Sequence, residues 1–165
     1  MTPFLRAKWP GKAAKLDRRA RWGILLVGLA YAPLWQGRFW ERPLPAWRFA
    51  IALCFLTLAG ILSWTATRAL GKQWRVDAGL NSDHQLITSG PYGVVRNPIY
   101  TSMLCMILGT GAILSPLLLI LLSIVLFTVG TEIRVRTEER LLADYFGETF
   151  AEYRRRVPAY IPFVR

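Results

Sequence analysis

Two stretches of this sequence combine polar, charged and glycine residues that suit the binding of a charged or hydroxyl-bearing ligand. The first, residues 84–100, contains a turn at residues 89–92 and the triplet Arg96-Asn97-Pro98. Asparagine can cap a helix and proline suits its first position, so we predict that a helix begins here. The unpaired N–H groups of a helix start, with Arg96 beside them, suit a carboxylate or phosphate. A plain loop entering a helix explains the same residues, and spacing alone favours that simpler interpretation.

The second stretch, residues 132–162, brings carboxylates and arginines close together. Adjacent Glu138 and Glu139 point about 100° apart on a helix, so at most one faces a given pocket squarely. Gly147 indicates a break before a further short helix. Two pairs of opposite charge at four-residue spacing also predict a solvated, salt-bridged face that needs no ligand: Glu132 with Arg136, and Arg134 with Glu138.

Other kinds of chemistry find little support in the sequence. His84 is the only histidine, which excludes a site with several histidine ligands, and no nucleophile motif accompanies it. Cys54 and Cys105 lie in apolar segments without CxxC or Cys/His spacing. We therefore expect neither a metal site nor a redox-active cysteine pair.

Long uncharged segments must position both stretches. Residues 22–37, 49–67 and 97–131 contain no Asp, Glu, Lys or Arg, and about 20 apolar residues suffice for a helix to cross the hydrocarbon core. Residues 49–67 fit one span, and residues 22–37 fit another if the helix extends to Trp40 at the interface.

The third uncharged run has 35 residues, too many for one span. Ser115 and Pro116 near its middle predict an N-cap and first helical position, so one helix ends there and another begins. We predict an all-α fold with four spans, the last two a helical hairpin of residues 98–114 and 116 to about 136. The hairpin makes the two polar stretches neighbours, and they could wall one pocket at the membrane surface.

The basic residues predict the orientation of these spans. Of 21 Lys and Arg residues, 18 fall in residues 1–21, 68–96 and 132–165, and three fall in residues 38–48. An even number of spans places the first three regions on one side, which the positive-inside rule makes cytoplasmic. The net charge of +11 is thus explained by topology and by contact with anionic lipid, and we expect no nucleic-acid partner.

In order and spacing, the polar motifs resemble the isoprenylcysteine carboxyl methyltransferase and phospholipid methyltransferase superfamily of integral membrane enzymes. The resemblance begins near Gly71-Lys72-Gln73-Trp74 and covers about 95 of the 165 residues. Its later motifs are His84-x-Leu86-x-Thr88-x-Gly90-Pro91-Tyr92, Arg96-x-Pro98-x-Tyr100, Glu138-Glu139-x-x-Leu142, Phe146-Gly147, Tyr153 and Arg156-Val157-Pro158-x-x-Ile161-Pro162. The carboxyl methyltransferase branch usually has histidine where this chain has Asn97.

The resemblance implies an S-adenosylmethionine-dependent methyltransferase without a Rossmann domain. The length and the charge distribution predict a single domain, 1–165, with a basic arm (1–21) and two N-terminal spans (22–67), and the resemblance makes residues 68–165 the cofactor-binding catalytic part. Carried over by position, the catalytic candidates are Arg96, Arg156 and Glu139. The cofactor-binding candidates are His84, Leu86, Gly90, Pro91, Tyr92, Asn97, Pro98, Tyr100, Glu138, Glu139 and Leu142.

The expected acceptor is lipophilic, of the isoprenylcysteine carboxylate type or a related lipid, in a protein of the bacterial inner membrane with both termini in the cytoplasm. Arg96 or Arg156 would hold the carboxylate. N- or S-methyl transfer, including phospholipid N-methylation, stays open, as does the oligomeric state. An NADPH-dependent enzyme resembling sterol and steroid reductases and a non-catalytic membrane adaptor also stay compatible with the sequence.

Overall fold

The computed structural model describes residues 18–37, 43–71 and 85–162. Within these ranges the chain is all-α, as the sequence predicts, and contains no strand. The helices are α1 (Arg18–Leu29), α2 (Ala46–Leu70), α3 (Pro98–Leu114), α4 (Leu117–Phe146) and α5 (Glu148–Arg156). Two 3-10 turns cover Ala32–Gln36 and Gly90–Gly93.

Helices α1 to α4 run alternately in opposite directions. At one end of the bundle the Ser115 hydroxyl, between α3 and α4, donates to the carbonyl of Leu34 after α1, at 2.6 Å. Arg48 of α2 donates to the Ser115 carbonyl at the same end. At the opposite end Gly23 of α1 lies against Gly130 of α4. Both polar stretches therefore belong to that second end, where α3 begins and α4 leaves the bundle.

Small residues allow the helices to pack closely. The buried face of α2 is Ala52, Ala59 and Ala66, spaced seven residues apart, and Gly109 of α3 approaches the Ala52 carbonyl. Packing through small residues is typical of helices that associate within a bilayer. A central cluster then joins α1 and its 3-10 turn to α3 and α4: Val27, Ala30, Leu34, Ile107 and Phe127.

Helices α2 and α4 are long and apolar enough to cross a membrane. Only 17% and 33% of their most apolar windows are buried, whereas the core helix of a soluble protein is mostly buried. Large apolar side chains such as Trp64 and Leu118 are exposed instead, by 68% and 75%. Exposed apolar surface on this scale requires an apolar surrounding, and lipid supplies one.

The first predicted span differs from the observed structure. Helix α1 ends at Leu29, and a 3-10 turn follows at Ala32–Gln36 instead of a continuous helix. Pro33 lies in the first turn of that 3-10 helix. Because proline lacks the N–H that a continuing α-helix needs, the α-helix does not extend through this position. The predicted extension to Trp40 lies outside the described residues.

The break between α3 and α4 falls where predicted, but its capping differs. Pro116 is the N-cap of α4, and Ser115 ends α3. The Ser115 hydroxyl bonds to Leu34 and so does not cap α4. The predicted N-cap role of Ser115 is therefore wrong, because a buried hydroxyl here joins two segments of the bundle.

Candidate functional site

The loop before α3 is fixed by the C-terminal tail, residues 157–162. The backbone N–H groups of Arg96 and Asn97 donate to the carbonyls of Pro158 (2.8 Å) and Ala159 (3.0 Å). The Asn97 side-chain amide also donates to the Ala159 carbonyl, at 3.2 Å. Asn97 is the N-cap residue of α3 and Pro98 begins the helix, as predicted. The expected side-chain bond to the free N–H groups of the helix is not made, because the Asn97 side chain bonds to the tail.

Arg96 joins three segments of the site. Its guanidinium pairs with Glu139 of α4, with Nε and Nη2 at 2.9 and 2.8 Å from Oε1. Its Nη1 donates to the carbonyls of Arg154 (3.1 Å) and Val157. The Arg96 and Glu139 side chains are only 11% and 15% exposed, so this ion pair is shielded from solvent and holds loop, α4 and tail together.

A second polar network lies one turn further along the bundle. Arg134 Nε donates to the Tyr100 hydroxyl at 2.6 Å, and that hydroxyl donates to Glu138 Oε1 at 3.2 Å. Arg134 also pairs directly with Glu138, at 2.9 Å. The predicted ion pair between Arg134 and Glu138, four residues apart on α4, is confirmed. The expectation that this face is solvated is wrong for Arg134, whose side chain is 6% exposed.

Burial raises the pKa values of two side chains in this region, Glu138 and Tyr153. Loss of solvent raises the pKa of Glu138, against the lowering effects of Arg134 and Tyr100. It also raises the pKa of Tyr153 to about 12, and the Tyr153 hydroxyl stays protonated to donate to the Tyr92 carbonyl at 2.6 Å. A carboxylate that loses solvation in this way gains from a ligand that brings positive charge or hydroxyl groups.

A cleft of about 420 Å³ opens beside the Arg96–Glu139 pair. Its polar wall is formed by three arginines, Arg96, Arg154 and Arg155, and the tail from Val157 to Ile161 forms the rest. Arg154 approaches Glu139 Oε2 at 3.6 Å. The cleft thus combines cationic side chains with an apolar strip, immediately next to one of the two predicted cofactor carboxylates.

The remaining site candidates are distributed around these networks. Gly90, whose φ is +61°, and Pro91 shape the 3-10 turn against which α2 packs, while Tyr92 is buried there. Leu86 and Leu142 are half-buried. Arg156 is not brought to the cleft: it is exposed and pairs with Glu152 on α5. His84 lies outside the described residues.

The sequence interpretation missed Arg134, Arg154 and Arg155 as candidates. For Arg134 a signal existed, because it continues the inward face of α4 marked by Ser123, Phe127 and Gly130 at helical spacing. Nothing in the sequence distinguishes Arg154 and Arg155 from Arg156, since only the tail's path decides which of them reach the cleft. Among the described residues no cluster of three or more metal-ligating side chains occurs.

The chain is similar to a described protein family and to several known proteins. The family described as "Phospholipid methyltransferase" matches residues 47–149. A protein-S-isoprenylcysteine O-methyltransferase of Schizosaccharomyces pombe is 32% identical, over 98% of this chain and 77% of its own length. Protein-S-isoprenylcysteine O-methyltransferase B of Arabidopsis thaliana is 31% identical over 72% of this chain, and the cobalt-zinc-cadmium resistance protein CzcN of Cupriavidus metallidurans is 34% identical over 78%. This chain spans 61% and 53% of those two proteins.

The fold and the site define a helical membrane protein with a polar site at one end of its bundle. The chain belongs to the superfamily of isoprenylcysteine carboxyl methyltransferases and phospholipid methyltransferases. It is a methyltransferase, as the sequence motifs indicate.

Proposed function

We propose that the protein transfers a methyl group from S-adenosylmethionine to the carboxylate of an isoprenylcysteine-type or related lipophilic acceptor. The observation that carries the proposal is the shielded Arg96–Glu139 pair, which joins the loop, α4 and the tail into one site. Two relatives named as isoprenylcysteine O-methyltransferases support the choice of acceptor.

The residues present fit this cofactor. A sulfonium cofactor carries positive charge and ribose hydroxyls, and Glu138 and Glu139 are two poorly solvated carboxylates on adjacent positions of α4. We infer that Glu138 or Glu139 binds the ribose hydroxyls or the methionyl ammonium, and the variants below decide which of them faces the cofactor. His84 and Leu86 would line the adenosine, Gly90, Pro91 and Tyr92 would shape the loop, and Asn97, Pro98, Tyr100 and Leu142 would complete the enclosure.

When bound, the cofactor would supply an activated methyl group for transfer to a carboxylate oxygen, with an ester O–C bond formed as the S–C bond breaks and its electron pair stays on sulfur. A carboxylate needs no base for this attack, so the protein's task is to align the acceptor and exclude water. The tail supports both tasks, because its carbonyls at positions 157 to 159 are fixed by Arg96 and Asn97. An amine acceptor would need to lose a proton first, which is a different demand on the site.

We further propose that α1 to α4 form four spans, with both termini and the site on the cytoplasmic side of a bacterial inner membrane. The alternating helix directions and the 18-to-3 distribution of basic residues support this topology. A lipophilic acceptor could then reach the site sideways from the bilayer.

The test is transfer of labelled methyl from S-adenosylmethionine by the purified protein to an N-acylated S-isoprenyl cysteine. We expect a product whose label alkali releases as methanol, since esters hydrolyse and N-methyl or S-methyl groups do not. Alkali-stable label in a lipid extract would instead indicate phospholipid N-methylation. No transfer, together with binding of NADPH, would support a reductase.

Cofactor binding is tested separately by calorimetry on Glu139→Gln and Glu138→Gln. We expect weaker S-adenosylmethionine binding, since each variant removes a carboxylate from the site. Glu152→Gln makes the same change on the exposed face of α5 and should bind normally. Unchanged affinity in both site variants would overturn the assignment of the carboxylates.

A further inference from the structure

The guanidinium groups that line the cleft are not equally available to a ligand. Arg96 uses Nε, Nη1 and Nη2 within the protein and is 11% exposed. Among the described residues, the Arg154 and Arg155 side chains have only long contacts, 3.6 Å to Glu139 and 3.9 Å to Glu148, and are 62% and 69% exposed. The cleft therefore has two cations whose N–H groups are accessible, beside one that is committed to holding the site together.

The part of the cleft away from the arginines lies at the end of the apolar segment of α4. Its tail residue Tyr160 donates through its hydroxyl to Glu132 (3.1 Å), and its carbonyl accepts from Thr101 (2.9 Å). Glu132 is the first charged residue after the uncharged run 97–131, so Tyr160 lies where α4 leaves its apolar segment. Ile161 follows and is 54% exposed.

A ligand that matches both parts is an amphiphile with a carboxylate at one end and a hydrocarbon chain at the other. Arginine binds a carboxylate through paired N–H groups, and the strip from Val157 to Ile161 offers apolar contact toward the bilayer. Arg154 also lies beside Glu139, so the carboxylate would be held next to a proposed cofactor residue.

We propose that this cleft is the acceptor subsite, in which Arg154 and Arg155 hold the acceptor's carboxylate and the tail residues Tyr160 and Ile161 direct its chain to the membrane. Arg96 is a positioning residue in this arrangement, since it binds the Arg154 carbonyl of α5 and the Val157 carbonyl of the tail. The inference rests on the proposed methyl transfer to a carboxylate and specifies where that carboxylate binds.

The experiment compares an N-acylated S-isoprenyl cysteine with its carboxamide, which has the same chain but no charge and no methyl-accepting oxygen. In Arg154→Gln/Arg155→Gln we expect the KM of the acid to rise about tenfold, because the charge-assisted bonds to its carboxylate are lost. The inhibition constant of the amide should change less than about twofold, as it never made those bonds. Arg154→Lys/Arg155→Lys keeps both charges and should recover most of the lost affinity.

Arg140→Gln removes one positive charge from an exposed position of α4 and should leave both constants unchanged. Calorimetric affinity for S-adenosylmethionine should be retained in the double variant, which separates the acceptor subsite from the cofactor site. Equal losses for acid and amide, or a loss that appears only in anionic-lipid vesicles, would overturn the inference and indicate a structural or lipid-binding role. Absence of any transfer by the unaltered protein would instead refute the proposed function.

Discussion

Tyr100 is the residue through which α3 and α4 share a polar network. Its hydroxyl accepts from Arg134 and donates to Glu138, so one oxygen bonds to both members of the Arg134–Glu138 pair. For Tyr100→Phe we expect the free energy of unfolding to fall by about 1–3 kcal/mol, the range for hydrogen bonds to charged groups. Unfolding of the detergent-solubilised protein measures this loss. Ser89→Ala, which removes a hydroxyl from an exposed position without a side-chain capping bond, should have little effect, and equal effects of both would contradict the network's role.

The sequence predicts which residues form the site more readily than it predicts which groups those residues contact. The motif positions Arg96 and Glu139 do meet, as a tight hairpin requires. The side-chain partner of Asn97 and the burial of Arg134 were mispredicted, because capping rules and charge pairing are local, whereas the tail and the buried face of α4 are tertiary features. Arg156 shows the same limit, since three successive arginines on α5 are equivalent until the tail's path is known.

The crossing of α1 and α4 depends on two glycines in contact. A Cβ on Gly130 would lie 2.8 Å from both Leu26 Cβ and Val27 N, and one on Gly23 would lie 2.9 Å from the Gly130 carbonyl. Backbone atoms cannot rotate away, so Gly130→Ala must separate the helices. We expect a loss of about 1–3 kcal/mol in the free energy of unfolding, typical of overpacking.

Gly60→Ala is the matched control for this crossing, because its Cβ would meet nothing within 4 Å. There we expect no loss, and a gain of up to about 1 kcal/mol from helix propensity. Thermal unfolding of both variants in one detergent measures the difference. An unaltered midpoint for Gly130→Ala would show that α1 does not pack on α4 as described.

Helix boundaries were predictable where the chain carries a strong stop signal. Ser115-Pro116 and Gly147 mark breaks that the structure contains, and Gly147 has the positive φ, +53°, that glycine tolerates best. The end of α1 was mispredicted because hydropathy extends beyond it, and hydropathy does not distinguish an α-helix from the 3-10 turn at Ala32–Gln36. Composition therefore predicts which segments are apolar, while proline positions decide how they are folded.

The described part of the molecule has a polar end and an end with few ionisable groups, and the basic residues within it follow that division. The site lies at the polar end, where α3 begins and α4 continues beyond its apolar run. The Ser115-Pro116 turn lies at the opposite end, next to Arg48. If the four helices cross the bilayer as proposed, these two ends face different compartments, and single thiols can locate each of them.

We expect a cysteine at position 116 to react from outside intact bacteria, and cysteines at positions 88 and 152 to react only after the inner membrane is opened. The parent protein would carry serine in place of Cys54 and Cys105, the two free thiols. Pro116, Thr88 and Glu152 are all exposed in the described structure, so a membrane-impermeant maleimide reports the compartment and not burial. Labelling of position 152 in intact cells would place the site outside, and labelling of all three positions there would exclude a membrane-spanning arrangement of the bundle.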